Sequence, residues 1–252
     1  MKLFSIISLE CMKNTRVINR IKKCWCLLRY LIPIIYFNFK MLPIGQAIKL
    51  PIWLYKPKFG KLTGKVKLDM PDCYIKSGMI RLGEFYVNIY PNSGCMIDNR
   101  GMMVFRGKCR IGNNSYISVG ETGVLEFGKK FESTTSIKIA CYNSIKFGNQ
   151  VLVGWDCLFL DTDFHTLTKS NGERNRGYGP IVIGDEVWFA NGCKVYKCSC
   201  IPAKCVVSGQ TVISSKVDVP EKSVIGNSYD IEIKIKDSYR NYLDDKINYY
   251  ND

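Results

Sequence analysis

The sequence predicts an all-β protein, a parallel β-helix wound from short strands, and two observations support this. Large apolar residues recur every six positions, at Ile183, Phe189, Val195, Ile201, Val207 and Ile213. The residues four positions further on are small or β-branched, and they are Val187, Cys193, Ser199, Cys205 and Thr211. Neither a strand nor a helix has a six-residue period. A triangular coil does, because each side uses six residues, points one large side chain inward and accepts only a small one near the corner.

The same period continues towards the N-terminus in a less regular form. Three large residues keep it, and they are Phe147, Val153 and Phe159. The small positions between them hold Val151 and Cys157. Further upstream there are two registers, one through Ile111 and Ile117 and the other through Leu125, Phe131 and Ile137. We therefore expect additional coils there, with slips of register between them.

A polar stretch interrupts the repeat between Phe159 and Ile183. It reads "LDTDFHTLTKSNGERNRGYGPIV" and follows neither register, which predicts a loop over residues 161 to 180 that leaves the coil. The loop contains His165, the one histidine of the chain, with Asp161 and Asp163 four and two residues before it.

The composition is that of a globular protein with a core, since 46% of the 252 residues are hydrophobic. The chain has 12 cysteines but no C-x-x-C pair, and it is too long to need disulfides for stability. We interpret the cysteines as reduced core residues of a cytosolic protein. No metal is expected, because a three-histidine site is impossible here and close pairs of cysteine ligands are lacking. Cys24-x-Cys26 and Cys198-x-Cys200 are the weak alternatives.

The net charge of +14 lies almost entirely near the N-terminus. Residues 1 to 67 contain 14 Lys and Arg and one acidic residue, Glu10. Aromatic residues are interleaved with these cations, and four prolines prevent one long helix. Such a segment suits a bilayer surface. The alternative is a basic cap that packs on the rest of the domain and leaves its charges in water. No apolar run is long enough for a transmembrane helix, and no recognition motif indicates nucleic acid as a partner.

The texture of the sequence changes near residue 66, where short β-rich runs separated by Gly and Asn begin. We therefore expect a basic amphipathic segment over residues 1 to 65 and a β-helix over residues 66 to 227. Residues 228 to 252 form a C-terminal tail in this division.

Four sequence elements resemble a known family. They are "DTDFH" at 161 to 165, "PIVIGDEVWFA" at 180 to 190, "VIGN" at 224 to 227 and the leader "YFNFKMLPIGQAIKLPI" at 36 to 52. Together with the repeat they resemble the hexapeptide-repeat acyltransferases, which are left-handed parallel β-helices, and among them the enzymes that O-acetylate surface polysaccharides. The chain departs from the family in having Ala190 where Gly is usual, "GNSYD" at the close, and Ser215 where a Lys facing the cofactor phosphates often occurs.

The resemblance implies acetyl-CoA as co-substrate, a carbohydrate acceptor and a homotrimer with active sites at its interfaces. Trp188 is then expected to line the groove for acetyl-CoA, although a large residue at a coil corner is the alternative reading. Lys197 and Lys216 are candidates for the nucleotide phosphates, and small residues near the end of the repeat suit the pantetheine arm. The expected contacts of this kind are Ala190, Asn191, Ser208, Gly209 and Ser214.

The chemistry of acyl transfer suits His165. A base must take the proton of the attacking hydroxyl, and imidazole has its ordinary pKa near neutral pH. A carboxylate on the other ring nitrogen would orient the ring, and the spacing leaves Asp161 and Asp163 as equal alternatives, with turn residues as a third interpretation. No covalent nucleophile stands out.

The sequence thus predicts an O-acetyltransferase that transfers acetyl from acetyl-CoA to a sugar hydroxyl of a surface polysaccharide or its precursor. N-acylation of an amino sugar and a non-catalytic glycan-binding or scaffold β-helix are the alternatives. The expected location is the cytoplasm, with peripheral contact to the inner membrane face as a further alternative.

Overall fold

The structure is a computed structural model that describes residues 29 to 227 and the backbone of residues 238 to 240. Its strands wind into a coil with three faces, and each face is an all-parallel sheet that gains one strand per turn of the coil. This is the arrangement that the six-residue period predicts, so the parallel β-helix is confirmed. The first coil already begins at Ile52, inside the basic segment of residues 1 to 65, where outward-pointing lysines obscure the repeat.

Sheet A is the first face of the coil and has eight strands in the order of the chain. They are β1 (Ile52–Leu54), β4 (Ile80–Glu84), β7 (Cys109–Gly112), β10 (Phe131–Ser133), β13 (Leu152–Val153), β17 (Trp188–Phe189), β20 (Val206–Val207) and β22 (Val224–Ile225).

Sheet B is the second face and has seven strands. They are β2 (Pro57–Leu62), β5 (Cys95–Asn99), β8 (Ser115–Val119), β11 (Lys138–Cys141), β14 (Leu158–Leu160), β18 (Lys194–Tyr196) and β21 (Val212–Ile213).

Sheet C is the third face and has six strands. They are β3 (Lys65–Leu68), β6 (Met102–Phe105), β9 (Val124–Phe127), β12 (Ser144–Phe147), β16 (Ile181–Ile183) and β19 (Cys200–Ile201). Two further strands, β15 (Leu167–Lys169) and β23 (Ser238–Arg240), form a separate antiparallel pair.

The core is the column of side chains inside the coil, and the predicted six-residue row lies in it. The large residues of that row are at most 6% exposed. The small positions are equally buried, which gives Cys157, Cys193 and Cys205 their place as small core side chains. Phenylalanine rings from successive coils contact one another along the axis, as in the 5.5 Å stacking of Phe127 on Phe147.

The two upstream registers, one through Ile117 and the other through Phe131, are two rows of inward-pointing side chains that run along the axis of the β-helix. Ile117 pairs with Ile139 in the main row, whereas Phe131 pairs with Cys109 near the corner. In the coil of Phe131 the volumes are exchanged, because the large ring takes the corner position and the buried Ser133 takes the position in the main row. The sum of the volumes is conserved, so the core stays filled although the sequence repeat slips.

The corner between sheets C and A brings successive coils into close backbone contact. A Cβ atom on Gly148 would lie 2.5 Å from the carbonyl oxygen of Gly184, so no larger residue fits there. Asp185 closes the same corner, since its carboxylate accepts a 2.7 Å hydrogen bond from the backbone amide of Asn149. The Gly-Asp pair of "PIVIGDEVWFA" therefore has a structural role.

A helical cap covers the open end of the first coil. Helix α1 (residues 29 to 41) is followed by the short helix α2 (Ile44–Ala47). One face of α1 is buried, with Phe37 stacked on Phe59 and the amide side chain of Asn38 bonded to the backbone of Ile52 in both directions. The cap interpretation of the basic segment is therefore correct for the inner face of α1. Trp25, Cys24 and Cys26 lie outside the described residues.

Candidate active site

The predicted loop leaves the coil after β14, at the corner between sheets B and C, and it is a hairpin. Backbone bonds connect Lys169 with Glu173 and Asn175 with Leu167 across the hairpin. On its other side, β15 pairs antiparallel with β23, so part of the C-terminal tail extends the hairpin into a small sheet. The loop is therefore an ordered element that holds His165 in a defined place.

Asp161 connects the start of the hairpin to the coil below it. Its side chain is fully buried, and its two carboxylate oxygens accept hydrogen bonds of 2.7 and 2.8 Å from the backbone amides of Tyr142 and Asn143. Burial raises the pKa of the Asp161 carboxyl, while these amides act in the opposite direction. Both oxygens thus have backbone donors, but these belong to the preceding coil and not to the residue's own turn.

Asp163 forms the second connection between the hairpin and the coil. Its carboxylate lies 2.7 Å from the ammonium group of Lys197, which directly follows β18. Both side chains are partly exposed, at 36% and 27%. Lys197, for which the sequence predicts a contact with phosphate, thus lies at the base of the hairpin and pairs with the carboxylate two residues before His165.

Phe164 makes the third connection. Its backbone has a φ of 58°, and its ring packs edge-on against Tyr142 at 4.9 Å. The Tyr142 hydroxyl lies 2.9 Å from the guanidinium of Arg100 and 3.2 Å from the hydroxyl of Ser118. The residue before His165 is therefore supported by a network that extends over three successive coils.

His165 itself is exposed. It follows the left-handed Phe164, a conformation that turns the chain sharply and that a side chain other than Gly adopts at a cost. The Thr162 hydroxyl accepts a hydrogen bond of 3.0 Å from the Phe164 amide and stabilises this turn. The imidazole is therefore placed on the outer side of a constrained turn, where a substrate can reach it.

A groove of about 600 Å³ runs over the outer face of sheet B, next to the base of the hairpin. Tyr116, Lys138 and Met96 are outward-facing side chains in it, together with Asp98 and Ser118. Ser118 joins the groove to the hairpin, because its hydroxyl contacts Tyr142, which packs on Phe164. The groove thus combines an aromatic ring, a carboxylate, a hydroxyl and a cation on the sheet face from which the hairpin departs.

Most of the residues predicted to contact acetyl-CoA lie together at another corner, between sheets A and B. Ala190 and Ser208 are stacked in successive coils, with Gly209 next to Asn191: a Cβ on Gly209 would lie 3.1 Å from the Asn191 side-chain oxygen. Trp188 precedes them on β17, points outward and is 49% exposed. These five residues therefore form one surface of small side chains beside an indole ring.

The remaining predicted contacts lie elsewhere. Ser214 directly follows β21, at the end of sheet B where the strands finish, and Lys197 lies at the same end. Lys216 is exposed and pairs by a single bridge with Cys200 beside sheet C. Strands β18 and β21 connect the corner of Asn191 and Gly209 with the corner of the hairpin. The surface beside Trp188 and the hairpin therefore lie at opposite ends of the strands of sheet B. Strand β18 (Lys194–Tyr196), about 10 Å long, lies between the turn of Asn191 and Lys197.

Cys157, Cys193 and Cys141 are the buried thiols near the site. Cys157 and Cys193 both lie within 3.3 Å of the carbonyl oxygen of Ala190, and the neighbouring Cys193 thiol and burial raise the pKa of Cys157. The contact with the Cys157 thiol lowers the pKa of Cys193. Burial also raises the pKa of Cys141. Cys198, beside Lys197, is the exposed thiol at the base of the hairpin. Within residues 29 to 227, no group of three or more His, Cys, Asp or Glu side chains is placed to hold a metal ion.

Several residues of the site were not found from the sequence. Tyr142, Arg100 and Ser118 belong to coils that precede the hairpin, and Tyr116 and Lys138 lie on the groove floor. One signal for Tyr142 was present. Ala140 pairs with Leu160 in the next coil. Continuing this register by two residues places Tyr142 beside Thr162, within "DTDFH". The groove residues carry no such signal.

The chain matches no family model and no curated protein. Among solved structures it is similar to the polySia-specific acetyltransferase NeuO, with a TM-score of 0.40 and 11% identity over 71% of this chain and 92% of the other. It is also similar to the polysialic acid O-acetyltransferase OatWY, with a TM-score of 0.32 and 17% identity over the same shares of the two chains. Likeness at this level adds no residue to the site. The three parallel sheets of the chain itself show that its fold is a parallel β-helix of hexapeptide repeats.

Proposed function

We propose that the protein is an acetyl-CoA-dependent O-acetyltransferase that modifies a sugar hydroxyl of a surface polysaccharide or its precursor. The observation that carries the proposal is the position of His165, exposed on a hairpin that Asp161, Asp163 and Phe164 each connect to the coil. Three separate connections to the coil fix the turn that carries this exposed imidazole, which is the preorganisation that a general base needs.

In this mechanism His165 accepts the proton of the attacking hydroxyl as the oxygen forms a bond to the acyl carbon. The C–S bond of the thioester then breaks, and the imidazolium returns the proton to the leaving thiolate, which departs as the free thiol. The imidazolium that forms is stabilised by the nearby negative charge of Asp163, which Lys197 holds in place. Asp161 acts differently, because both of its oxygens already accept backbone hydrogen bonds. Its part is to position the turn.

Acetyl-CoA supplies the thioester in this reaction. The corner of Ala190, Asn191, Ser208 and Gly209 fits an extended arm, because small side chains leave the backbone accessible and Trp188 adds an apolar wall. Ser214 and Lys216 are proposed to contact the co-substrate beyond that corner. Because this surface and the hairpin flank the same sheet face, an extended donor bound at one edge brings its acyl end towards the other.

The groove beside the hairpin is proposed to hold the carbohydrate acceptor. A sugar presents an apolar ring face and several hydroxyls, and the groove offers the ring of Tyr116 together with Asp98 and Ser118 as hydrogen-bonding partners. Lys138 adds a positive charge, which favours an acidic sugar.

Transfer is direct in this proposal, from donor to acceptor in a ternary complex. The thiols of Cys141 and Cys157 are buried and protonated, so neither serves as an acyl carrier. The exposed Cys198 provides a sharp test, because Cys198→Ser leaves turnover unchanged under direct transfer and abolishes it if this thiol carries the acetyl group.

The proposed assembly is a homotrimer in the cytoplasm, where acetyl-CoA is available. His165 is exposed within one chain, and a neighbouring subunit would close the cleft over it. Closed cyclic symmetry gives every hairpin the same neighbour.

The experiment that tests the function measures the release of free thiol from acetyl-CoA by the full-length chain, with acidic polysaccharides and with amino sugars as acceptors. The proposal expects release that depends on the polysaccharide and an acetyl group that mild alkali removes, as it removes esters. An alkali-stable acetyl group on an amino sugar would establish N-acylation instead. Absence of thiol release with every acceptor, together with binding of the glycan, would establish a non-catalytic β-helix.

A further inference from the structure

The outer face of helix α1 is apolar although it is not covered by the described part of the chain. The residues at positions 34, 37, 38, 41 and 42 are buried, which is the stripe that faces the coil. The opposite face exposes five large apolar side chains, and they are Leu31, Ile32, Ile35, Tyr36 and Phe39. A helix that is apolar all round belongs in an apolar environment on both sides.

The segment after α1 continues this apolar surface. Ile44 in α2 is 74% exposed and Ile48, which follows α2, is 64% exposed. These values are among the highest for any large apolar side chain of residues 29 to 227. The whole cap therefore presents an apolar surface at the end of the β-helix that is far from the hairpin. We call this set of exposed side chains on α1 and α2 the cap surface.

Two grooves beside α1 are lined by cations. The first, of about 630 Å³, lies at the N-terminal half of the helix and is lined by Arg29, Lys56 and Lys58. The second, of about 600 Å³, lies at its C-terminal end and is lined by Lys40, Lys65 and Lys67.

Neither groove has an acidic residue in its lining, and the chain has none between Glu10 and Asp69. Lys67 is paired with Asp69 at 3.0 Å, which leaves most of the positive charge of the grooves unneutralised.

We propose that the cap surface docks on an anionic lipid membrane, with α1 lying in the plane of the interface and the two cation-lined grooves receiving lipid headgroups. An apolar face with cations along its sides is the pattern that binds the boundary between headgroups and acyl chains. The described part of α1 is about 20 Å long, and no helix of residues 29 to 227 is long and apolar enough to span a bilayer. The helix therefore lies on the membrane surface.

The positive charge of the grooves favours an anionic membrane over two other occupants of the cap surface, residues 1 to 28 and a second copy of the chain. Residues 1 to 28 contain six Lys and Arg and one Glu, so they would add positive charge to grooves that are already positive. A second copy of the same surface would do the same. An anionic membrane supplies both the missing negative charge and an apolar layer.

Membrane contact would leave the hairpin accessible. The hairpin leaves the fifth strand of sheet B, and four sheet steps of about 4.8 Å separate that strand from the first coil. His165 would stand about 20 Å above the cap. Docking is therefore compatible with either a free or a lipid-linked acceptor, and the proposal does not depend on the function proposed above.

The test is cosedimentation of the full-length protein with two kinds of vesicle, phosphatidylcholine alone and phosphatidylcholine with about one-third phosphatidylserine. We expect binding to the anionic vesicles, at least tenfold weaker binding to the neutral ones, and partial release as salt shortens the screening length. Equal binding to both vesicles, or binding to neither, would overturn the proposal.

Substitutions assign the binding to the cap. Lys40→Ala with Lys65→Ala is expected to weaken binding to anionic vesicles by roughly 5- to 30-fold, because each cation near such a surface contributes about fivefold in affinity. Ile32→Ser with Ile35→Ser is expected to weaken binding even at high salt. The matched controls are Lys108→Ala with Lys129→Ala and Val124→Ser with Val182→Ser, which change exposed side chains away from the cap.

Two results would overturn the proposal, one by assigning the cap surface to a second copy of the chain and the other by removing the cap's part in membrane binding. If Ile32→Ser with Ile35→Ser leaves vesicle binding unchanged but alters the sedimentation coefficient, the surface joins copies of the chain. If the cap substitutions and the matched controls weaken binding equally, the binding is a general effect of net charge. Circular dichroism checks that each variant keeps its β structure.

Discussion

The ammonium group of Lys197 lies 2.7 Å from the carboxylate of Asp163. The pair joins the residue that follows β18 of sheet B to the hairpin, two residues before His165. It gives Lys197 a role at the base of the hairpin that differs from the predicted contact with phosphate. The two roles have different kinetic consequences, so they can be separated by experiment.

We predict that Asp163→Asn lowers kcat more than Lys197→Ala does, and that the double substitution costs little more than Asp163→Asn alone. The reason is that Asp163→Asn removes the charge beside the imidazolium, whereas Lys197 acts only through Asp163, and effects through one interaction are not additive. The free energy of unfolding should change by less than about 1 kcal/mol, since both side chains are partly exposed. A rise in the KM for acetyl-CoA that is confined to Lys197→Ala would instead establish the contact with phosphate.

Asp161 and Asp185 make a matched pair for the next prediction, because both accept hydrogen bonds from backbone amides of the preceding coil. Asp161→Asn is expected to lower the free energy of unfolding by about 1–3 kcal/mol, since the amide side chain leaves one buried donor unsatisfied, and also to lower kcat. Asp185→Asn, which is exposed and far from the hairpin, should lower stability less and leave kcat unchanged. Thermal melts and steady-state kinetics on both variants provide the check, and an equal loss of kcat in the two would contradict the positioning role.

The hydrogen bond from Asn149 to Asp185 predicts that the stability of the folded protein depends on pH. The backbone amide of Asn149 is the main cause that lowers the pKa of Asp185. A carboxyl with a lowered pKa in the folded state stabilises the protein above its ordinary pKa near 4, and this contribution is lost as the pH falls below that value. The melting temperature should therefore fall less steeply in acid for Asp185→Asn than for the wild type. Equal steepness of the two proteins in parallel acid titrations would contradict a stabilising hydrogen bond between Asp185 and Asn149.

Trp188 is predicted to act on the co-substrate alone. Trp188→Ala should raise the KM for acetyl-CoA by about tenfold, as expected for loss of one aromatic wall worth roughly 1.5 kcal/mol, and leave the KM for the acceptor unchanged. Trp53→Ala is the control, because Trp53 also points outward from sheet A but lies on its first strand. An unchanged KM for acetyl-CoA in Trp188→Ala would assign the indole to the coil corner.

The interior of the β-helix was predictable because its rule is local. Every sixth side chain must be large and each small position must be small, so Cys157 and Cys193 could be placed in the core from spacing alone, and both are fully buried. The rule fails where volumes are exchanged between positions, as between Phe131 and Ser133, because the core requires only the sum.

The site was predictable only in part because its contacts connect different coils. His165 and the loop were found from their departure from the repeat. The partners of Asp161 and Phe164 lie about one coil earlier, and the partner of Asp163 lies about one coil later, beyond the whole hairpin. Which side chains meet across coils depends on the number of residues in each corner that separates them. The hexapeptide pattern does not predict that number.

The trimer remains a prediction with a direct measurement. Sedimentation equilibrium at the concentration used for the assay should give three times the chain mass of 28.8 kDa. Retention of full activity by a monomer would mean that one chain closes its own site.

The most direct test of the account is the turnover of His165→Ala with acetyl-CoA and an acceptor that the wild type uses. The account predicts a fall in kcat of roughly 10²–10⁴-fold with an unchanged melting temperature, because a general base is removed from an exposed position outside the core. Lys169→Ala, on an exposed site of the same hairpin, should keep nearly full turnover and so controls for disturbance of the hairpin. Turnover of His165→Ala within a fewfold of the wild type would contradict the assignment of His165 as the base.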